Sequence, residues 1–142
     1  MWRREQLALF LKSLPMADKL QFQQEFLIKS STQILYNCLS TPSGLSEWFC
    51  DDVNIKGDQY NFMWDGSEEV AKLLTKRKGE FIRFQWMDDE DTDYFFEMKI
   101  VIDPITKEVA LVITDFAEED EMEESRLLWS NQVDDLKHTI GG

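Results

Sequence analysis

From residue 20 the chain settles into regular hydrophobic periods. Leu20, Phe22, Gln24, Phe26 and Ile28 form one side of a period-two pattern whose other side is Gln21, Gln23 and Glu25. That alternation predicts a strand with one buried face. Ser30 or Ser31 then suits the N-cap of a short helix carrying Ile34, Leu35, Cys38 and Leu39 on one side. Thr41-Pro42 restarts a second helix, since Thr caps well and Pro is pre-set for the first helical position; this helix is expected to end with Trp48 and Phe49. Six short apolar runs follow: 52–56, 59–64, 70–77, 80–86, 94–103 and 108–116. Their separators are turn formers: Gly57-Asp58, Asp65-Gly66, Lys78-Gly79, the acidic stretch Asp88–Asp93, and Asp103-Pro104. From Glu118 to about Ile140 the period changes. Met122, Trp129, Val133, Leu136 and Ile140 recur at helical spacing, with acidic residues in the first turns and Lys137 and His138 in the last.

The predicted order is one strand, two short helices, six strands and a long C-terminal helix. Strands this closely spaced pair as an antiparallel meander, because a parallel sheet needs a crossover between successive strands. A curved sheet of about seven strands, wrapped around the long helix, buries all these apolar faces together. The fold class is α+β. Residues 1–19 read as an N-terminal extension to a domain spanning 20–142. Within the extension, Leu7, Leu11 and Leu14 fall at helical spacing and Pro15 stops the run. Met16-Ala-Asp-Lys reads as a natural start, so the first fifteen residues stand outside the domain core.

The hairpin around the acidic stretch admits a specific register, in which partner numbers sum to 180. Ile82 then faces Met98, Phe84 faces Phe96 and Trp86 faces Tyr94 on the inner side, while Arg83 meets Glu97 outside. A slip of one residue would turn the apolar set outward.

Composition narrows the function classes. A chain of 142 residues is one domain by size and needs no metal or disulfide to hold a core. Hydrophobic residues at 43% and aromatics at 13% exclude a disordered polymer. Twenty-eight acidic residues against fifteen basic ones give a net charge of -13. Nucleic-acid binding, which draws affinity from Lys and Arg on phosphates, is therefore not expected. Anionic lipid surfaces repel such a chain as well. No apolar run approaches the ~18–20 residues of a membrane helix, so membrane insertion is not expected. Lys12 interrupts the apolar stretch that follows Arg3 and Arg4, which argues against a secretory leader. Cys38 and Cys50 admit a disulfide, but free buried thiols in a cytoplasmic protein are the expected state.

Candidate chemistry is sparse. The single His138 lies near the end of the last helix, where the dipole explains it. Nothing beside Cys50 would activate its thiol. One histidine without a CxxC pair makes no zinc site, and no glycine-rich phosphate loop is present. The carboxylates Asp88, Asp89, Glu90, Asp91 and Asp93 lack the Gly and the distant Glu of a calcium loop. A short exposed hairpin tip also turns successive side chains apart. No metal, no cofactor and no catalysis are expected. With 118–124, however, this stretch could make one acidic surface suited to a basic protein partner.

Three segments carry a resemblance. Ser40-Thr41-Pro42-Ser43-Gly44-Leu45-Ser46-Glu47-Trp48-Phe49 resembles the TPxGLxxWF opening of the START-like (SRPBCC, helix-grip) superfamily. Phe81-Ile82-Arg83-Phe84-Gln85-Trp86 and Ile113-Thr114-Asp115-Phe116-Ala117 resemble two strands of its small Bacteroidetes-type bacterial members. The resemblance spans roughly 20–140 and implies the helix-grip fold. It implies no particular activity and carries over no site residue. Members of the superfamily commonly hold hydrophobic ligands between sheet and helix, while activators of the 90-kDa heat-shock chaperone bind a protein. Two readings follow. In one, Trp48, Phe62, Trp64, Phe84, Trp86, Phe96, Phe116 and Trp129, with Phe49 beside them, line a cavity for a small apolar molecule or lipid. In the other, the same rings fill a small core and the acidic surface binds a basic protein.

Overall fold

Strand alternation becomes seven strands in the computed structural model, which describes residues 18–141. In chain order they are β1 (Leu20–Ile28), β2 (Asp52–Lys56), β3 (Gln59–Trp64), β4 (Ser67–Arg77), β5 (Phe81–Trp86), β6 (Phe96–Ile102) and β7 (Val109–Ala117). One antiparallel sheet holds them in the order β1-β7-β6-β5-β4-β3-β2. Strands β2 to β7 are thus the expected meander. The first strand joins the last, with Leu20 opposite Ala117 and Ile28 opposite Val109. The sheet is curved and does not close into a barrel, so β1 and β2 are its edges. The helix expected within residues 1–15 lies outside the described residues.

Three helices complete the chain: α1 (Thr32–Ser40), α2 (Pro42–Ser46) and α3 (Met122–Thr139). Ser31 is the α1 cap, its hydroxyl accepting from the Ile34 backbone N–H at 3.1 Å. Ile34 itself is exposed; Leu35, Tyr36, Cys38 and Leu39 form the buried side. Helix α2 ends at Ser46, short of Trp48 and Phe49. Those two lie in the turn beyond it, where the Phe49 and Cys50 N–H groups both donate to the Leu45 carbonyl.

The TPxGLxxWF segment is a packing device. Thr41 caps α2 by accepting from the Gly44 N–H at 3.0 Å, and its hydroxyl donates back to the Asn37 carbonyl at 2.8 Å. Gly44 sits so close to α1 that a Cβ would overlap the Asn37 carbonyl oxygen and the Cys38 Cα. Leu45 is fully buried, and the Trp48 indole N–H donates to the Cys38 carbonyl at 2.8 Å.

Two strands depart from the alternation. Strand β4 begins at Ser67, three residues before the apolar run at Val70. Asp65 and Gly66, at φ 46° and 81°, make a two-residue turn that pairs Trp64 with Ser67. Successive positive φ values match the right-handed twist of a hairpin. A bulge between Leu73 and Thr75 then leaves Leu74 exposed. In the β5–β6 hairpin the summed register holds for Ile82–Met98, Arg83–Glu97 and Phe84–Phe96. The expected Trp86–Tyr94 pair does not form. The chain turns into a short 3-10 segment at Met87–Asp89, and the Gln85 side-chain amide donates to the Thr92 and Tyr94 carbonyls at 3.0 and 2.9 Å. Tyr94 instead sets its ring 5.2 Å from that of Phe116.

Candidate functional site

The inner faces of β3 and β5 carry aromatic residues at alternate positions, β6 adds Phe96, and Trp129 of α3 packs against them. Trp129 on α3 is fully buried, with ring centroids 5.8 Å from Phe49 and 5.9 Å from Phe96. Phe49 is the hub. It also lies 5.4 Å from Trp48, 5.0 Å from Phe62 and 5.7 Å from Trp64. Phe84 stacks on Phe96 at 5.2 Å, Trp86 stacks on Phe96 at 4.9 Å and reaches Phe62 at 5.8 Å. These separations are ordinary ring-on-ring packing. Seven of the eight expected lining residues, Trp48, Phe62, Trp64, Phe84, Trp86, Phe96 and Trp129, therefore belong to one connected cluster.

Phe116 does not. It pairs with Gln21, whereas the inward positions of β7 are Leu111, Ile113, Asp115 and Ala117. Its half-buried ring rests on the outer face against Tyr94 and Phe95, at 5.2 and 5.1 Å. Strand parity overrides the hydrophobic character of the side chain. Two members of the inner cluster escaped the sequence reading. Tyr60 is buried 4.8 Å from Phe84, and the alternation Tyr60–Phe62–Trp64 would have found it. Asp115 is buried on the inner side and accepts the Trp129 indole N–H at 2.8 Å. The Trp64 indole donates to the Phe49 carbonyl at 2.8 Å, which also accepts from the Gln132 amide at 3.1 Å. The indole N–H groups of Trp48, Trp64 and Trp129 are thus turned toward the protein's own groups.

Nucleophilic chemistry finds little support in these surroundings. Both cysteines are free and buried. Burial, with the charges of Asp51 and Asp52, pushes the Cys50 thiol up to about 12. Burial and Glu47 raise Cys38 as well. A nucleophilic thiol needs the opposite shift. His138 is exposed, its Nδ1 bonded to the Asp134 carbonyl one turn back. Among the described residues, no three metal-ligating side chains converge, and no helix is long and apolar enough to cross a membrane.

Charge is distributed unevenly. The pairings Asp52–Met63, Trp64–Ser67, Phe84–Phe96 and Leu20–Ala117 place the starts of β1, β2, β4 and β6 and the ends of β3, β5 and β7 at one end of the sheet. That end gathers Asp51, the Asp65 turn, the acidic stretch 88–93 and the Glu118–Glu124 approach to α3. The opposite end carries Lys56, Arg77, Lys78 and Lys107 among its acids. Burial, together with the charges of Asp120 and Glu124, raises the Glu121 carboxyl above its ordinary value. One ammonium is seated there. Lys19 Nζ lies 3.5 Å from Asp89 Oδ1 and 5.1 Å from the Tyr94 ring centroid, and its backbone N–H donates to the Tyr94 hydroxyl at 3.0 Å.

Comparison with known proteins bears on these features. A family profile described as a START-like superfamily domain matches residues 16–142. BfR322 from Bacteroides fragilis, solved by NMR, is 36% identical; the likeness covers 87% of this chain and 92% of that one at a TM-score of 0.64. The Aha1 dimer from Colwellia psychrerythraea is 18% identical over 85% of this chain and 96% of its own, with a TM-score of 0.71. ChR145 from Cytophaga hutchinsonii is 16% identical over 89% and 97%, at 0.67. The last two show a shared fold alone. No curated protein is significantly similar in sequence.

Proposed function

We propose, from the premise that this chain belongs to the START-like superfamily, that it is a non-catalytic interaction module whose acidic end receives a basic segment of a protein partner. The observation that carries this reading is the assembly of separate acidic loops at one end of the sheet, where an ammonium is already held between Asp89 and Tyr94. Separate loops brought together by pairing make a field that no single loop has, and such fields steer and select oppositely charged partners.

The aromatic cluster supports the same reading by what it occupies. A bound lipid would lie between sheet and helix, where Phe49, Phe62, Phe84, Phe96 and Trp129 pack on one another with almost no exposure. A ligand there would have to displace rings that are already satisfied. Neither thiol supports nucleophilic catalysis, since both are pushed away from the thiolate form.

Decalysine is a suitable probe. Titrated into the 15N-labelled protein at low salt, it is expected to shift the amides of residues 88–93 and 118–124, with binding that weakens as salt is added. Thermal melts with a bacterial total lipid extract provide the opposing arm. A rise of several degrees in wild-type Tm with the extract, without any decalysine shifts, would replace this reading with that of an apolar ligand binder, because a ligand that favours the folded state raises its stability.

A further inference from the structure

We propose that the outer edge of β1 docks a second copy of this chain, pairing antiparallel with the same strand of that copy about a two-fold axis. The sheet ends at β1 and β2, and the two edges differ. Strand β2 has five residues, and the Asp52 carboxylate accepts its Val53 N–H at 2.9 Å. Short edges and occupied backbone groups discourage further pairing. Strand β1 has nine residues, an unbroken register with β7, no proline and one charged side chain, Glu25. It is the undefended edge.

Backbone parity says which groups that edge offers. The Ile100 N–H donates to the Glu80 carbonyl and the Asp103 N–H to the Glu108 carbonyl. Even-numbered residues of β6 therefore bond to β5, and even-numbered residues of β7 bond to β6. The odd-numbered residues of β7 are left to bond the even-numbered residues of β1. Gln21, Gln23, Glu25 and Leu27 then turn their N–H and C=O groups away from the sheet, and all four are exposed. Arg126 marks the same row independently: its Nη1 donates to the Gln23 carbonyl at 3.3 Å. Among the described residues this is the one hydrogen bond made to the backbone of that row. It comes from an exposed side chain, which a strand can displace.

Self-complementarity identifies the occupant. When partner numbers sum to 48, all nine residues of both strands align. Gln21 then faces Leu27 of the second copy and Gln23 faces its Glu25, while Leu20 faces its Ile28. Each odd-numbered residue gives one N–H and receives one, about eight hydrogen bonds across the axis. No like charges meet within the nine pairs, because each Glu25 carboxylate is opposed by a Gln23 amide. Leu27, 55% exposed in one copy, gains a neighbour. A sum of 50 would set Glu25 against Glu25. Each copy has one such edge, so the pairing closes at two copies. The net charge of -13 on each copy opposes association, and salt is expected to strengthen the dimer.

The test uses the full chain at high salt. Sedimentation equilibrium should show a monomer–dimer equilibrium. Between about 20 μM and about 1 mM, amide exchange at 21, 23, 25 and 27 should slow at least about tenfold, whereas the even-numbered amides are protected at both concentrations. Gln23→Lys should tighten the dimer and Gln23→Glu weaken it, each at least about fivefold. Gln59→Lys and Gln59→Glu, at an exposed position opening β3, change the net charge equally and should do neither. Glu25→Pro removes an outward N–H without breaking the ladder to β7, and should abolish the dimer. Far-UV circular dichroism checks its fold, and the Gln23 variants decide alone if it does not fold. A chain monomeric throughout, with the odd-numbered amides unprotected, overturns the proposal and leaves the edge to a strand of another protein. A monomer with those amides protected equally at both concentrations overturns it as well, since the chain's own residues then cover the edge. A dimer indifferent to the charge at residue 23 overturns the β1 pairing in favour of another face.

Discussion

The Trp129 indole N–H donates to Asp115 Oδ2 at 2.8 Å, joining the middle of α3 to the inner face of β7. The second carboxylate oxygen accepts the Phe116 backbone N–H at 2.7 Å, so one buried side chain orients both the helix and its own strand. Buried polar groups are retained where each finds a partner. Trp129→Ala is expected to cost ~3–5 kcal/mol, as removal of a fully buried aromatic does. Trp129→Phe keeps a ring against Phe49 and Phe96 but removes the donor to Asp115, for about 1–3 kcal/mol. Urea melts of the three proteins give both numbers, and a Trp129→Phe variant as stable as wild type would show that the bond to Asp115 contributes nothing beyond ring volume.

Gly44 is required by space. Its missing side chain lets α2 sit against the Asn37 carbonyl and the Cys38 Cα, and both obstructions are backbone. Gly44→Ala should therefore destabilise by about 1–3 kcal/mol, the range for overpacking a tight contact, even though alanine is the better helix former. Chemical denaturation measures this directly. A neutral or stabilised Gly44→Ala would mean that α1 and α2 move apart at little cost.

Legibility in the sequence followed the strength of each local pattern. Hairpins with glycine-containing turns and clear alternation, such as 52–56 with 59–64, could be read to the residue. The Arg83–Glu97 register was readable because a slip would expose Ile82 and Phe84 together. Phe116 departs from the expected lining because strand parity, not apolar character, sets the face a side chain takes. Counting from Ile113 puts it outside, and the inward place goes to Asp115, whose carboxylate is satisfied by an indole 14 residues away. The Trp86–Tyr94 pair failed for a related reason: Gln85 could meet the Tyr94 carbonyl with its side chain, an alternative that periodicity does not display. The acidic end depended on topology. Its loops are up to about seventy residues apart in sequence and are gathered because alternate strand ends lie at one end of the sheet.

Arg83 and Glu97 face each other on the outer side, with Nε and Nη2 both donating to Glu97 Oε1 at 3.1 and 2.9 Å. The guanidinium also lies 4.0 Å over the Phe95 ring. The arginine side chain is 37% exposed, which screens the pair. A double-mutant cycle of R83A and E97A is expected to give a coupling of about 0.2–1 kcal/mol. R83K keeps the charge but loses the planar stack on Phe95, so it should recover only part of the loss. Full recovery by lysine would remove the stacking contribution.

Cys50 should be chemically quiet. Its thiol, moved from an ordinary 9.0 up to about 12, donates to the Leu45 carbonyl at 3.6 Å. At pH 8 the thiolate fraction then falls about a thousandfold below that of an unperturbed cysteine, and the thiolate is the reactive form. Iodoacetamide should label Cys38 and Cys50 only as fast as the protein unfolds, with labelling accelerating in urea. Rapid stoichiometric labelling of the folded protein would reopen a nucleophilic role.

Glu121 connects the acidic end to pH. Its carboxyl is raised above the ordinary 4.5 first by burial and then by the charges of Asp120 and Glu124. A proton on Glu121 thus binds the folded protein more tightly than the unfolded chain. The stabilising contribution of that proton is fully present below pH 4.5 and is lost as pH rises through the higher folded value. At neutral pH the charged form is a cost. Glu121→Gln removes that charge, so the variant is expected to be more stable than wild type at pH 7 by a few tenths of a kcal/mol, the scale of partly exposed charge interactions. The advantage should vanish below about pH 4, where Glu121 is neutral in both states. It should also shrink at high salt, to the extent that like charges rather than burial raise the carboxyl. Denaturant melts at pH 7 and pH 4, each at low and high salt, separate the two causes. An advantage that disappears at pH 4 yet is unchanged by salt would assign the shift to burial alone, whereas no advantage at pH 7 would remove Glu121 from the strained part of the acidic end.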